Sequence, residues 1–174
     1  RDKLIQEEIP DALLILAPRK TERFLSVAKI LEESNMTYSK WSENIDTSIN
    51  TDVLLVDTLG DLLFFYSVSE VTFVGGSLFD VGGHNLMEPA ILMKPIMTGP
   101  KLDNVYDIAS QFMKNHSIII VNDFRDISRS VIELFKDEER CKVMAMNAMQ
   151  IIENNKGSKE KILKLIRPLL KSSH

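Results

Sequence analysis

Two glycine pairs, Gly75-Gly76 and Gly82-Gly83, stand beside Ser77, His84, Asn85 and Glu88, between a β-branched run at Val71 to Val74 and a second apolar run at Pro95 to Thr98. Glycine lets the main chain take φ > 0 and lets a ligand approach the backbone closely, and the open N–H groups at a helix start favour an anion. The ligand these residue types suit is a phosphate. The spacing matches neither the dinucleotide loop G-x-G-x-x-G nor a P-loop, which needs Gly-Lys-Ser/Thr. A tight strand-to-helix corner would account for one glycine pair; two pairs with Ser77, His84 and Asn85 at the mouth favour binding.

Glu88 falls in the first turn of the helix that His84 or Asn85 begins. It reads either as a capping carboxylate, which favours that helix end by about 0.5 kcal/mol, or as the acceptor for two vicinal ribose hydroxyls. His84 and Glu88 have the i, i+4 spacing of a metal pair, but no third ligand stands at a useful distance along the chain, so a metal is disfavoured. Pro18-Arg19-Lys20 ends an apolar run, and its Arg19 is either a solvated cation or a bidentate grip on phosphate. Lys101 and Asn104 are weaker candidates for the rim. Met144, Met146, Met149, Cys141, Trp41 and Tyr38 read as packing residues.

The elements that must position these groups alternate strand and helix. Asp11 to Ala17 reads as a strand buried on both faces, followed by a helix over about Glu22 to Ser34 with Thr21 as N-cap and Asn35 as stop. Thr37 to Ser42 has the alternation of an edge strand, Glu43 to Asp52 the composition of a loop, and Val53 to Val56 that of a central strand. Asp57 to Asp61 is a turn before a helix containing Leu62, Phe65 and Val68. Beyond Pro100, Val105, Ile108, Ala109 and Phe112 share a helical face, Ser117 to Val121 is a fifth apolar run, and Ile127 to Phe135 continues the alternation. Two closing helices are expected, one through Met144 to Ile152 and one through Ile162 to Leu169, parted near Asn155 to Gly157. This order predicts an α/β fold, a Rossmann-like parallel sheet with helices on both faces, whose loops after the strands collect at one edge.

The 174 residues are 44% hydrophobic and 26% charged, which predicts one compact domain over 1–174, and a net charge of −4 disfavours nucleic acid and anionic lipid as partners. A single cysteine excludes an internal disulfide and fits a reducing compartment. The chain has no apolar run long enough for a membrane span and no signal-like start, so it reads as soluble. Lys3 to Glu8 looks like the tail of a helix with a strand close behind, the pattern of a fragment.

Taken together, Phe73-Val-Gly-Gly-Ser-Leu, Gly82-Gly-His-Asn-Leu-Met-Glu-Pro-Ala, Lys94-Pro-Ile-Met-Thr-Gly-Pro, Pro18-Arg19, Glu22-Arg23-Phe24 and Val56-Asp-Thr-Leu-Gly-Asp-Leu resemble the 3-deoxy-D-manno-octulosonic acid (Kdo) transferase family of lipopolysaccharide synthesis. The likeness runs from Pro10 to about Ile152. It implies the C-terminal, sugar-nucleotide-binding half of a GT-B glycosyltransferase, which moves Kdo from CMP-Kdo to a lipid A precursor at the cytoplasmic face of the bacterial inner membrane, with no metal or other cofactor. By motif, Gly75, Gly76 and Ser77 approach the CMP phosphate, and Gly83, His84 and Asn85 belong to the same site. Glu88 holds the ribose. Pro18 and Arg19 face the leaving phosphate, Arg19 stabilising its charge, and Asp57, Thr58, Leu59 and Gly60 read the cytosine edge largely through the backbone.

One departure is Lys20, where the family usually has His after Pro-Arg. The family's N-terminal acceptor domain, with its membrane anchor, its general base and the acceptor's site, and the first strand of the C-terminal half are not represented. The implied fragment therefore binds donor weakly and is inactive alone. Another GT-B enzyme using a UDP-sugar and a non-catalytic nucleotide-sugar-binding module are the alternatives.

Overall fold

The computed structural model describes residues 3–34, 36–43 and 51–171, with the backbone alone for Lys3 and residues 156–171. Part of the expected loop after Glu43, the expected helix stop at Asn35 and the side chains expected to line a last helix therefore lie outside the described residues. Contacts within the chain gather into two compact units, residues 1–68 and 69–174, where composition predicted one domain.

In the first unit, helix α1 (Lys3–Glu8) precedes three short parallel strands, β1 (Leu14–Leu16), β2 (Tyr38–Lys40) and β3 (Val53–Leu55), in the order β1-β3-β2. Leu14 pairs with Val53 and Tyr38 pairs with Val53 from the other side, so β3 is central and all three of its residues are buried. The two-residue period of the strand divides its side chains between two layers. Val53 and Leu55 pack with Ala28 and Leu31 of helix α2 (Phe24–Glu33), and Leu54 and Val56 pack with Phe65 of helix α3 (Leu62–Val68). This is the parallel, doubly covered arrangement that the alternation predicts.

Two local expectations fail here. β1 is not buried on both faces: it is an edge strand and Leu14 is 41% exposed. A continuous apolar run reports hydrophobicity and not position in the sheet. Thr21 does not cap a helix either. It lies inside a 3₁₀ turn (Thr21–Arg23) that opens with the Arg23 amide donating to the Lys20 carbonyl, and α2 begins after it.

The second unit carries β4 (Thr72–Val74), β5 (Ile96–Thr98) and β6 (Ile118–Ile120), parallel and in chain order. Helix α4 (Met87–Ile91) follows β4, α5 (Tyr106–Lys114) follows β5, and α6 (Phe124–Lys136) and α7 (Glu138–Lys171) follow β6. On one face Val74, Ile96 and Ile118 bury against Leu86, Ala90, Ala109 and Phe112. On the other, Met97 buries against Leu134 of α6 and Met144 of α7, with Phe73 and Ile119 packed beside them. Helix α7 serves both, because Ala148, Ile151 and Ile152 belong to the first cluster.

The glycine-rich stretch does not run directly into a helix. The chain stays irregular through Leu86, and α4 spans only five residues. α7 is continuous through Asn155 to Gly157, where a break was expected, since a lone glycine costs a helix about 1 kcal/mol and cannot by itself stop a helix held by tertiary packing. Of its methionines Met144 is buried, but Met146 is 61% exposed and is no core residue. Cys141 is half-buried, its thiol donating to the Leu134 carbonyl at 3.2 Å, and burial pushes its pKa up.

The carboxylate of Asp123 caps α6, accepting from the amides of Arg125 at 2.8 Å and Asp126 at 2.9 Å. Asp123→Ala is expected to lower stability by about 1 kcal/mol and Asp123→Ser by clearly less, read as urea midpoints.

Candidate functional site

In the second unit the two glycine pairs meet. The Gly83 amide donates to the Gly76 carbonyl at 2.6 Å, so residues 76–83 form a closed loop after β4. Gly76 has φ 74°, in the left-handed region, and a Cβ there would lie 2.7 Å from Cε1 and 2.8 Å from Nε2 of His84. The imidazole thus rests on the Gly76 main chain, in space that any other residue would fill. Gly82 and Gly83 also have positive φ, at 87° and 79°. Gly75 is different. Its φ lies outside that region and nothing stands within 4 Å of where a Cβ would be, so neither conformation nor packing in this chain demands glycine there.

Ser77 is not at the mouth of the site. It is fully buried; its hydroxyl donates to the Val74 carbonyl at 3.0 Å and accepts from the Gly99 amide at 2.7 Å, with Thr98 Oγ1 3.0 Å away. The hydroxyl ties the end of β4 to the end of β5, and only the Ser77 main chain is left for a ligand. The sequence signal for this knot was the pairing of a small hydroxyl residue after the glycine pair with Thr98-Gly99 at the end of the next strand.

Asn85 is exposed, and its Oδ1 accepts from the Met87 amide at 3.0 Å, which caps the start of α4. Its Nδ2 donates to Glu88 Oε1 at 3.1 Å, so Glu88, in the first turn, is held by a neighbouring side chain and does not cap the backbone. Among the described residues no three His, Cys, Asp or Glu side chains gather where they could share a metal.

The first unit holds the other predicted residues. Pro18 and Arg19 follow β1 and Asp57 to Gly60 follow β3, so these loops leave the same edge of that sheet, with Arg19 exposed. Asp57 accepts from the Ser42 amide at 2.9 Å and the Ser42 hydroxyl at 2.6 Å. Partial burial pushes its carboxyl pKa up, but the Ser42 hydrogen bonds outweigh that and leave it below the ordinary carboxylate value. Thr58 donates its hydroxyl to Asp61 Oδ2, which also accepts from Trp41 Nε1 at 3.2 Å. Trp41 in turn packs on Phe64 and Phe65, ring centres 5.9 and 5.0 Å away. These bonds occupy the side chains of Asp57 and Thr58, so what the turn can offer a ligand is its backbone, the exposed Leu59 and Gly60, whose φ is 97°. Ser42 and Asp61 were not singled out as supports of this turn; the bond from Thr58 to Asp61 is local, but Asp57 and Trp41, the partners of Ser42 and Asp61 across the sheet, are distant in sequence.

No family model matches the chain. Over 162 residues, 92% of its length, it is 33% identical to the 3-deoxy-D-manno-octulosonic acid transferase of Haemophilus influenzae, and over 168 residues 30% identical to that of Rickettsia typhi. It superposes with a TM-score of 0.81 and 27% identity on the crystal structure of the C-terminal CMP-Kdo binding domain of WaaA from Acinetobacter baumannii, covering 86% of this chain and 80% of that one. The chain belongs to the 3-deoxy-D-manno-octulosonic acid transferase family. It spans 38% of the Haemophilus protein and 36% of the Rickettsia protein. A bifunctional glycosyltransferase/methyltransferase of Fusobacterium nucleatum is 34% identical over 90% of the chain, which makes up 22% of that protein's length. The resemblance read from the glycine-rich stretch is thereby borne out. Among the described residues no helix is long and apolar enough to cross a membrane.

Gly76→Ala must strain φ and displace His84, and is expected to cost about 1–3 kcal/mol of stability, whereas Gly75→Ala is expected to change it by less than about 1 kcal/mol, both read from urea unfolding. Asp57, with its folded pKa below the unfolded value, contributes stability that is present above the unfolded pKa and lost as pH falls through the folded one. The urea midpoint of the wild type should therefore fall more steeply below about pH 4 than that of Asp57→Asn, while the two run parallel above about pH 5.

Proposed function

We propose that this chain is the donor-binding part of a Kdo transferase: it holds CMP-Kdo, and the whole protein transfers Kdo to a lipid A precursor at the cytoplasmic face of the bacterial inner membrane. The observation that carries the reading is Gly75. It is a glycine that the chain's own conformation and packing do not require, set at the end of β4 against a loop closed by Gly76 and Gly83, in a chain of which 86% superposes on the C-terminal CMP-Kdo binding domain of WaaA.

Transfer breaks the bond between the anomeric carbon of Kdo and the phosphate oxygen of CMP, and the electron pair leaves with the phosphate. An acceptor hydroxyl forms the new glycosidic bond, and its proton goes to a base expected in the acceptor half of the whole protein. In this chain the work is to hold the donor and to take up the charge that grows on the leaving phosphate. Main-chain N–H groups at Gly75 and Gly76 are suited to that, because fixed dipoles need no reorganisation as the charge develops. Glu88, with one oxygen engaged by Asn85, keeps a second oxygen for ribose hydroxyls. In the first unit, Arg19 is assigned to the leaving phosphate and the backbone of Asp57 to Gly60 to the cytosine, on the strength of the resemblance.

Calorimetric titration of the 174-residue chain with CMP, UMP, AMP and inorganic phosphate tests this. CMP is expected to bind most tightly, and Glu88→Ala and Arg19→Ala are each expected to weaken it about tenfold, the loss of one charged hydrogen bond. Preference for UMP would assign the chain to a UDP-sugar enzyme, and equal affinity for all four ligands would reduce it to a general phosphate-binding module.

A further inference from the structure

The closed glycine loop does not hold itself in place. The segment that follows β5, residues 99–105, grips it at four points. Gly99 donates to the Ser77 hydroxyl at 2.7 Å, and Lys101 donates its amide to the Ser77 carbonyl at 2.8 Å. Leu102 and Val105 side chains lie where a Cβ on Gly83 would come within 3.0 and 3.2 Å of them. The fourth grip is Asn104. Its amide donates to the Gly82 carbonyl at 2.9 Å and its side-chain Nδ2 to the Val81 carbonyl at 2.7 Å, so one residue holds two successive carbonyls of the loop.

Asn104 also touches the loop face on. A Cβ on Gly82 would lie 2.5 Å from its Nδ2 and 2.7 Å from its Cγ, so the carboxamide is laid flat against the Gly82 main chain. Gly82 therefore has two reasons to be glycine, its φ of 87° and this side chain. Next to Gly82, the Gly83 amide makes the 2.6 Å bond to Gly76 that closes the loop. The side chain of Asn104 thus reaches the phosphate corner through one peptide and one hydrogen bond, and its Nδ2 is occupied in doing so.

We propose that Asn104 is a positioning residue for the donor phosphate: it clamps the Val81-Gly82 peptide so that the Gly83 to Gly76 bond forms, and it thereby sets the orientation of the main-chain amides at Gly75 and Gly76. This rests on the reading of the glycine corners as a donor phosphate site. The donor N–H of the carboxamide is the essential feature. Aspartate has the same shape but no N–H and would set a carboxylate against the Val81 carbonyl, and alanine leaves both that carbonyl and the face of Gly82 open.

The test uses the whole 174-residue chain as wild type, Asn104→Ala and Asn104→Asp. CMP affinity is measured by calorimetry, cytidine affinity by NMR titration, and amide hydrogen exchange at residues 81–83 on the free protein. Both variants are expected to bind CMP about tenfold more weakly, to bind cytidine within about twofold of wild type, and to exchange the Gly82 and Gly83 amides about tenfold faster. A merely structural residue would weaken CMP and cytidine together, and that result overturns the proposal, as does wild-type CMP affinity in Asn104→Asp. A wild-type chain that binds CMP while both variants bind it equally well sinks this proposal and leaves the donor reading standing. A wild-type chain that binds no CMP sinks both.

Discussion

The hydrogen bond from the Gly83 amide to the Gly76 carbonyl is the constraint on which the second unit's edge depends. It turns eight residues of glycine-rich chain, of which only residues 79–81 are exposed, into a closed loop, and closing such a loop costs conformational entropy that glycine makes larger. Three positive-φ glycines make the closure geometrically possible, but one hydrogen bond of about 1 kcal/mol net does not offset the ordering of the loop. The remainder comes from outside it, through the imidazole of His84 on Gly76, the Ser77 hydroxyl under β5, and the segment 99–105. The loop is ordered because its neighbours are.

Those neighbours are themselves held by a dry core. Val74 and Ile96 are almost wholly inaccessible, and Thr98 is as buried as they are although it carries a hydroxyl. A buried hydroxyl without a partner would cost roughly 1–3 kcal/mol, and Thr98 and Ser77 avoid this by bonding to each other and to the Val74 carbonyl. The result is a short polar seam at the ends of two strands whose members are mutually satisfied and rigid. It presents backbone to the edge while keeping its side chains inside. A site built to stabilise charge on a departing phosphate benefits from that arrangement, because its dipoles are fixed before the ligand arrives.

The first unit supports its turn by other means. Asp57 draws in the chain after β2 through Ser42, and Asp61 ties Thr58 to the indole of Trp41, which sits on two phenylalanines. The carboxylates face inward to the protein's own donors, and the aromatic cluster supplies the apolar area that holds the strand ends together. In each unit, then, hydroxyl or acidic side chains beside the proposed binding residues are engaged with the protein itself, Ser77 in the second unit and Asp57 and Thr58 in the first.

Much of this was legible from residue order. Continuous apolar runs marked five of the six strands among the described residues and an alternating pattern marked the edge strand β2, and the paired glycines marked the loop and the family because few backbones tolerate that pattern. Tertiary structure alone decided the rest. Whether an apolar strand lies at the centre or the edge, as β3 and β1 do, depends on which strands pair, and hydrophobicity along one strand carries no record of its neighbours. The same holds for polar side chains. Ser77 looked outward-facing and is buried, and Asn104 looked like rim and proves to clamp a loop 22 residues away, measured to Gly82, because a hydrogen bond is set by distance in space and not along the chain.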